Sequence, residues 1–542
     1  MENKTRKIVI WMPVLLTLFV IAGIFVGVKL QNRIQSGSRI MGANSTNKVG
    51  VILNLIEGNY VDSIDTKKIV ESAIPEILKQ LDPHTVYIPA KDMQEVTEEM
   101  SGNFSGIGVQ FSIQNDTIMV IDVISGGPSQ KLGIRAGDRI VKVNDSIMAG
   151  VKVTNEKVLK KLRGEKGTRV NVTIARKGFA EMIPFEIIRG EIPLTSIDVN
   201  YMIERNTEYI KVGRFADRTY DEFMSGVSRF VRQGADQIII DLRGNPGGYL
   251  GAVIKMANEF LDNGELVVYT QGRTQPKKTF NADRKGAFFG KKIVVLVDEY
   301  SASASEIFAG AIQDNDRGTI IGRRTFGKGL VQEQIPFFDG SAIRLTVARY
   351  YTPAGRCIQK SYKNGTDDYN GDIRRRYTHG EFEQKDSIHY SDTLKYFTRK
   401  NRVVYGGGGI MPDIFVAADT SGMSPFFAKV IQKGLIYQYA FDYSDKNRAE
   451  LGKLKTGKEF EDYLIQRKVL YSFVEYAARK GIKADAKDLV ISGKIIGTQL
   501  VAYVARNIIG EVGFYSVISK IDATLLEAIK ALDTKDMLVQ TN

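Results

Sequence analysis

Two short runs, QIIIDL at 237–242 and KIVVLVD at 292–298, most constrain what this chain can fold into. Neither alternates apolar with polar residues, as a strand with one wet face would. Each therefore needs cover on both faces, which is the habit of strands in a parallel sheet. Residues 220–233 carry apolar side chains at helical spacing just before the first run, and residues from 301 onward read as a helix just after the second. Strand and helix alternating from about 190 to 360 predict an α/β core. In a chain of 542 residues that core leaves room for further domains on either side.

The flanks differ in character. After Lys4, Arg6 and Lys7 comes an uncharged run of 21 residues, 8–28, long enough at 1.5 Å per residue to cross about 30 Å of hydrocarbon. A cleaved signal peptide has an apolar region of only about 7 to 15 residues and then a small-x-small site, and no such site follows here. We expect a single-pass anchor in the cell (inner) membrane, with the body on the extracytoplasmic, periplasmic side. Lys29 and Arg33 beyond the run make the charge rule a weak guide to orientation. Residues 34–46 read as a tether and 47–98 as a helical segment. One helix is expected through Val51, Ile52, Leu55 and Ile56, and another over 66–80, stopped by Leu81-Asp82-Pro83-His84. Residues 361–405 are polar, charged and aromatic and read as a surface insertion. The span 421–542 has helical periodicity and is expected to form a helical domain.

Composition excludes several chemistries. The net charge of +13 is dispersed, with no basic run to make a nucleic-acid footprint. One cysteine, Cys357, forbids a disulfide within the chain, and three scattered histidines (His84, His379, His389) offer no clustered zinc site. No metal and no cofactor is expected, and acid/base work falls to other side chains.

The stretch SASASEIF at 301–308 sits at a strand-to-helix turn, where free N–H groups and the helix dipole favour developing negative charge. Ser303 with Glu306 also has the form of a capping box, a purely structural use. A serine becomes a nucleophile only when a base reaches its proton. No histidine stands near in sequence, but Lys328 lies between Gly327 and Gly329, which permit a close backbone approach that could aim the lysine inward. Such a lysine serves as a base only if burial lowers its pKa.

Residues 99–180 resemble a PDZ domain: SGNFSGIGVQFSI, DTIMVIDVI and GGPSQKLGIRAGDRIVKVND give strands and a short helix, then TNEKVLKKLRG a helix and RVNVTIAR a closing strand. In that family a glycine-rich loop, here Gly106, Ile107, Gly108 and Val109, offers N–H groups to a terminal carboxylate, and the peptide adds to the sheet edge. Taken together with IIDLRGNPGG (239–248), SASASE (301–306), TFGKGLVQ (325–332), RYYTPAGRCIQ (349–359) and GIMPD (409–413), this module resembles the carboxyl-terminal processing peptidases, or tail-specific proteases.

The resemblance implies an α/β (α+β) multidomain protein whose Ser/Lys protease core, over 181–360 and 406–420, is crotonase/ClpP-like and carries an inserted PDZ domain. It implies Ser303 as nucleophile, Lys328 as general base and Gln332 as the group orienting the lysine amine, because the family spaces serine and lysine 25 positions apart and glutamine four further on. It also implies an oxyanion hole from the N–H of Ala304 together with Gly247 or Gly248. Pro246 stands where trypsin-like PDZ proteases have their serine, which removes that mechanism. Expected partners are protein or peptide substrates with free C-termini and the membrane, with a homo-oligomer or an adaptor protein left open. The alternatives are a non-catalytic PDZ scaffold that keeps the protease fold and a crotonase-like enzyme acting on acyl thioesters. Arg323 and Arg324 depart from the family, where many relatives carry an acidic residue.

Overall fold

The computed structural model describes residues 17–29, 47–114, 116–124, 126–388, 392–419 and 421–534. The chain divides into two units, residues 1–80 and 81–542. The first contains a helix Thr17–Lys29, with its described side chains exposed, and helices Lys48–Asn59 and Thr66–Leu78, the latter capped by Asp65, whose carboxylate accepts from Lys68 N–H at 3.3 Å. Part of the expected anchor, residues 8–16, and the expected tether, 34–46, lie outside the described residues.

The second unit is built on a six-stranded sheet whose order follows the chain: β1 (Ile197–Met202), β2 (Thr207–Val212), β3 (Gln237–Asp241), β4 (Lys292–Val297), β5 (Thr319–Gly322) and β6 (Ile414–Phe415). Only the β1/β2 pair is antiparallel. On one face, Ile238, Ile240, Ile293 and Val295 pack with helices α1 (Thr219–Arg232), α2 (Leu250–Asn258) and α3 (Ala304–Asp314). On the other, Ile239, Val294 and Leu296 meet Leu525, Ala528 and Leu532 of helix α4 (Ala523–Leu532). The expected 421–542 domain is corrected here. Its final helix is a layer of this α/β core, because β3 and β4 are apolar on both faces and the stretch from 190 to 360 covers only one of them.

A second sheet joins Val86–Ile88, Ala342–Tyr351, Leu266–Gln271 and Lys278–Asn281, with Leu330–Pro336 paired to Ala342–Tyr351. That last pair shifts register between Val331 and Gln332, and such a bulge re-aims the side chain it carries.

The PDZ sheet runs Val109–Gln114, Thr117–Val123, Arg139–Val143, Arg169–Ala175 and Ile183–Ile188. The strand expected to close it is therefore interior. Ile183, Phe185 and Ile187 alternate toward the core and add another strand past residue 180. Asn103–Gly106 then pairs antiparallel with Gly190–Pro193, so the module's entry and exit are clipped together.

Residues 361–405 are not merely a surface insertion. Tyr369 and Arg376 are buried, and the Arg376 guanidinium donates to the carbonyl oxygens of Thr325 (3.0 Å) and Arg324 (2.5 Å), just ahead of the loop that carries Lys328. The two departures from the family pattern find carboxylates: Arg323 donates to Glu299 at 2.8 Å and Arg324 to Glu381 at 2.6 Å.

Between 425 and 518, helices surround Phe427, Val430, Phe460, Leu464, Phe473, Leu500 and Val504. The longest, Ala486–Ile509, is long and apolar enough to cross a membrane, but it buries Ile496, Leu500 and Val504 in this helical core.

Candidate active site

The expected catalytic and oxyanion residues come from three segments that are tied together. After β4 the chain turns into α3, and Ser303 stands at the turn with φ +56° and ψ −113°, a left-handed conformation that a non-glycine residue adopts only under strain. Of the three serines in SASAS, Ser301 donates to the carbonyl of Leu242 (2.8 Å) and Ser305 to that of Asn245 (3.0 Å), and both are fully buried. These bonds fasten the turn to the GNPGG loop. Ser303 instead lines a cavity of about 730 Å³, together with Gly247, Gly248, Ala304, Lys328 and Gln332.

The same bonds separate the two candidate glycines. Gly247 N–H donates to Asn245 Oδ1 at 2.8 Å and is occupied. Gly248, at φ +140°, lies so close to Phe215 that a Cβ would come within 1.9 Å of its carbonyl oxygen. Among the described residues the N–H groups of Gly248 and Ala304 donate to no protein acceptor, so two free donors remain at the cavity. That geometry suits an oxyanion.

Glu306 does more than cap a helix. Its buried carboxylate accepts from Ser303 N–H (2.9 Å), Thr325 Oγ1 (2.6 Å), Gly327 N–H (2.8 Å) and Lys328 N–H (2.8 Å), linking the serine turn to the lysine loop. Burial pushes its pKa up to about 7, against the pull of those hydrogen bonds. Tyr350 adds a second link: its buried hydroxyl reaches the carbonyl oxygens of Lys328 and of Ser303, the latter at 3.1 Å. Only the capping-box form of Glu306 was visible in sequence, and Tyr350 gave no signal beyond its place in the RYYTPAGRCIQ motif.

Lys328 is the sixth of the seven residues, 323–329, that join β5 to the strand Leu330–Pro336. A Cβ on Gly329 would lie 2.9 Å from Gln359 N, so the backbone approach expected of the flanking glycines is real. Burial lowers the Lys328 pKa below the ordinary lysine range, the nearby Arg344 charge lowers it further, and Glu306 and Asp82 act the other way. No hydrogen bond joins Ser303 Oγ to Lys328 Nζ among the described residues. Gln332 donates through Nε2 to the main-chain carbonyl of His84 rather than bonding the lysine amine.

His84 is the residue that sequence distance concealed. Asp82 accepts from His84 N–H (2.9 Å) and Thr85 N–H (3.0 Å) and shapes the turn, while His84 Nε2 bonds the Tyr369 hydroxyl at 2.8 Å. Burial and the Lys328 charge lower its pKa to about 4, so the imidazole is neutral and its turn forms part of the lysine's surroundings.

In the PDZ module, Val109–Gln114 is an edge strand, and the N–H groups of Ile107 and Gly108 donate to no acceptor among the described residues. Gly106 pairs in the entry strand with Gly190, and Gly108 takes φ +77°. An open edge beside free N–H groups is the form a β-augmenting peptide needs.

Residues 206–369 match peptidase family S41, residues 105–184 the PDZ domain, and residues 426–510 a family of unknown function. The chain is 35% identical over 350 residues to a carboxy-terminal-processing protease of Bartonella bacilliformis, covering 63% of this chain and 80% of the relative. It is 32% identical over 321 residues to carboxy-terminal processing protease CtpB of Bacillus subtilis, covering 58% and 65%. A solved photosystem II D1 C-terminal processing protease is similar at 23% identity and a TM-score of 0.36, over 69% of this chain and 94% of that one. The chain belongs to the carboxy-terminal processing proteases, serine proteases of family S41 that carry a PDZ domain.

Proposed function

We propose that this protein hydrolyses peptide bonds of C-terminally presented substrates by a Ser/Lys mechanism. Lys328, neutral in the reactive form, takes the proton of Ser303 Oγ as that oxygen attacks the scissile carbonyl. The N–H groups of Ala304 and Gly248 hold the oxyanion, a contribution worth about 3–4 kcal/mol per donor in comparable sites. The lysine then passes its proton to the leaving amine, and water hydrolyses the acyl-enzyme. Gln332, set at the bulge with its Nε2 taken by the His84 carbonyl, is assigned the orienting role through its remaining Oε1, which can accept from the lysine amine. The observation that carries this assignment is that Ser303, Lys328 and the two unengaged N–H groups line one cavity, with the other two serines of the motif turned away from it.

We assign capture of the substrate's terminal carboxylate to residues 106–109, with the tail added along Val109–Gln114. The core is read as crotonase/ClpP-like. The apolar run at 8–28 anchors the chain in the membrane, with the catalytic body on the extracytoplasmic side. That assignment draws on the helix Thr17–Lys29 and the nine uncharged residues ahead of it.

Cleavage of one peptide with a free and with an amidated C-terminus, by the unaltered chain and by its Ser303→Ala and Lys328→Ala variants, tests the assignment. Loss of cleavage in both variants and slower cleavage of the amide are expected. A Ser303→Ala chain that cleaves as fast as the parent would overturn Ser303 as the nucleophile, and an unaltered chain that cleaves neither peptide would favour the binding-scaffold alternative.

A further inference from the structure

The helical module that matches a family of unknown function holds a second cavity, of about 550 Å³, which shares no lining residue with the Ser303 site. That volume lies within the ~300–1,000 Å³ of pockets that take small molecules. Its walls are apolar: Leu464, Val469 and Val517 are buried side chains of three different helices. Its floor is helix Ala486–Ile509 where that helix carries Gly493 and Gly497, one turn apart. A Cβ placed on Gly497 would meet nothing within 4 Å, so helix packing does not require glycine there, and glycine inside a helix is destabilising relative to alanine. The bare backbone at Gly497 leaves the cavity open there.

The mouth carries charge. Lys520 is taken up by an ion pair with Glu461. Lys468 and Lys494 line the same cavity and form no ion pair among the described residues. Lys468 also sits at φ +52°, a left-handed conformation that a lysine adopts under strain and that fixes where its side chain departs. An apolar recess rimmed by two unpaired ammonium groups, with the Thr498 hydroxyl on its wall, is complementary to an amphiphile having one anionic head and one chain.

We propose that this cavity binds a long-chain carboxylate, a free fatty acid, with its chain over Gly493 and Gly497 and its head between Lys468 and Lys494. The volume favours one acyl chain, and the two free ammonium groups favour a small anionic head.

The test uses the full chain in phosphatidylcholine nanodiscs and a palmitate analogue bearing a diazirine, with labelled peptides read by mass spectrometry. Labelling is expected on peptides from 461–471 and 493–501, displaced by palmitate and not by methyl palmitate. Gly497→Leu, at a position where an added Cβ meets nothing within 4 Å, puts a side chain on the floor and should reduce labelling at least tenfold, with peptide cleavage and helical circular dichroism unchanged. Replacing Lys468 and Lys494 together by glutamine should weaken palmitate competition about tenfold or more. Labelling that survives Gly497→Leu, or that methyl palmitate displaces as well as the acid, overturns the proposal. So does labelling confined to residues 8–29. Displacement by lysophosphatidylglycerol but not by palmitate would assign a phospholipid and overturn the carboxylate.

Discussion

Substituting alanine for Gly247 should disable the serine without replacing any residue to which the chemistry is assigned. At φ +99° this position is in the left-handed region, which costs an L-residue about 1–2 kcal/mol. The added methyl would lie 2.7 Å from Ala302 O, 2.7 Å from Ser303 Cβ and 2.8 Å from Ala304 N. Ordinary carbon contacts begin at about 3.5 Å, so the overlap is about 0.8 Å. All three atoms belong to the serine turn, and that turn cannot retreat freely. Ala302 N–H (3.0 Å) and Ser305 Oγ (3.0 Å) both hold Asn245 O, and Ser301 Oγ holds Leu242 O at 2.8 Å. The methyl therefore displaces Ser303 and Ala304 N–H together. A misplacement near 1 Å costs on the order of 10²-fold in rate, so kcat should fall roughly 30- to 100-fold with KM little changed. The assay is steady-state cleavage of a fluorogenic peptide with a free C-terminus, beside labelling of Ser303 by a fluorophosphonate. Gly251→Ala is the matched control. It lies four residues on, in α2, its Cβ meets nothing within 4 Å, and it should gain about 0.5–1 kcal/mol in stability with no change in rate. A Gly247→Ala chain that cleaves and labels like the parent, or a Gly251→Ala chain equally impaired, would refute the reasoning.

Two further outcomes follow from the electrostatics and the tethers of the site. Since the neutral lysine is the base, kcat/KM should climb with pH through the lowered Lys328 pKa. Arg344→Gln removes a positive neighbour, raises that pKa and moves the rising limb to higher pH; a limb that moves the other way, or a profile flat down to pH 5, contradicts a lysine base. The same lowering means that the folded chain releases this proton before the unfolded chain does, so the group's contribution to stability is lost as pH falls through the folded pKa. Tyr350→Phe keeps the ring packed and deprives the Lys328 carbonyl of its hydroxyl partner, an unsatisfied buried acceptor worth about 1–3 kcal/mol. Calorimetry should show that loss, and kcat should fall about tenfold at constant KM because the lysine loop loosens. An unchanged kcat would reduce Tyr350 to packing.

Much of this architecture can be read from local pattern. The buried strands β3 and β4, helix α1 and the helical periodicity after 420 are where the residue spacing puts them, because apolar period reports which face of an element is covered. Local pattern and structure part where an element's partner is decided. Ile183, Phe185 and Ile187 alternate and extend the PDZ sheet beyond residue 180, although RVNVTIAR reads locally as a closing strand. Tyr369 and Arg376 could not have been found this way: they sit in a polar segment, and their burial depends on reaching His84 and the carbonyls of Arg324 and Thr325.

The amino-acid sequence by itself determined the residue types available for chemistry, their order and their local setting. It placed a serine at a strand-to-helix turn, set a lysine between glycines, and kept histidine and cysteine too scarce to do the work. Tertiary structure decided which of three serines faces the cavity, which glycine keeps its N–H free, and that a turn around His84 and a helix ending at Leu532 complete the core. The division has a physical cause. Backbone preference and hydrophobic period act over a few residues, whereas the partner that satisfies a buried N–H, carboxylate or apolar face is chosen by packing among segments hundreds of residues apart.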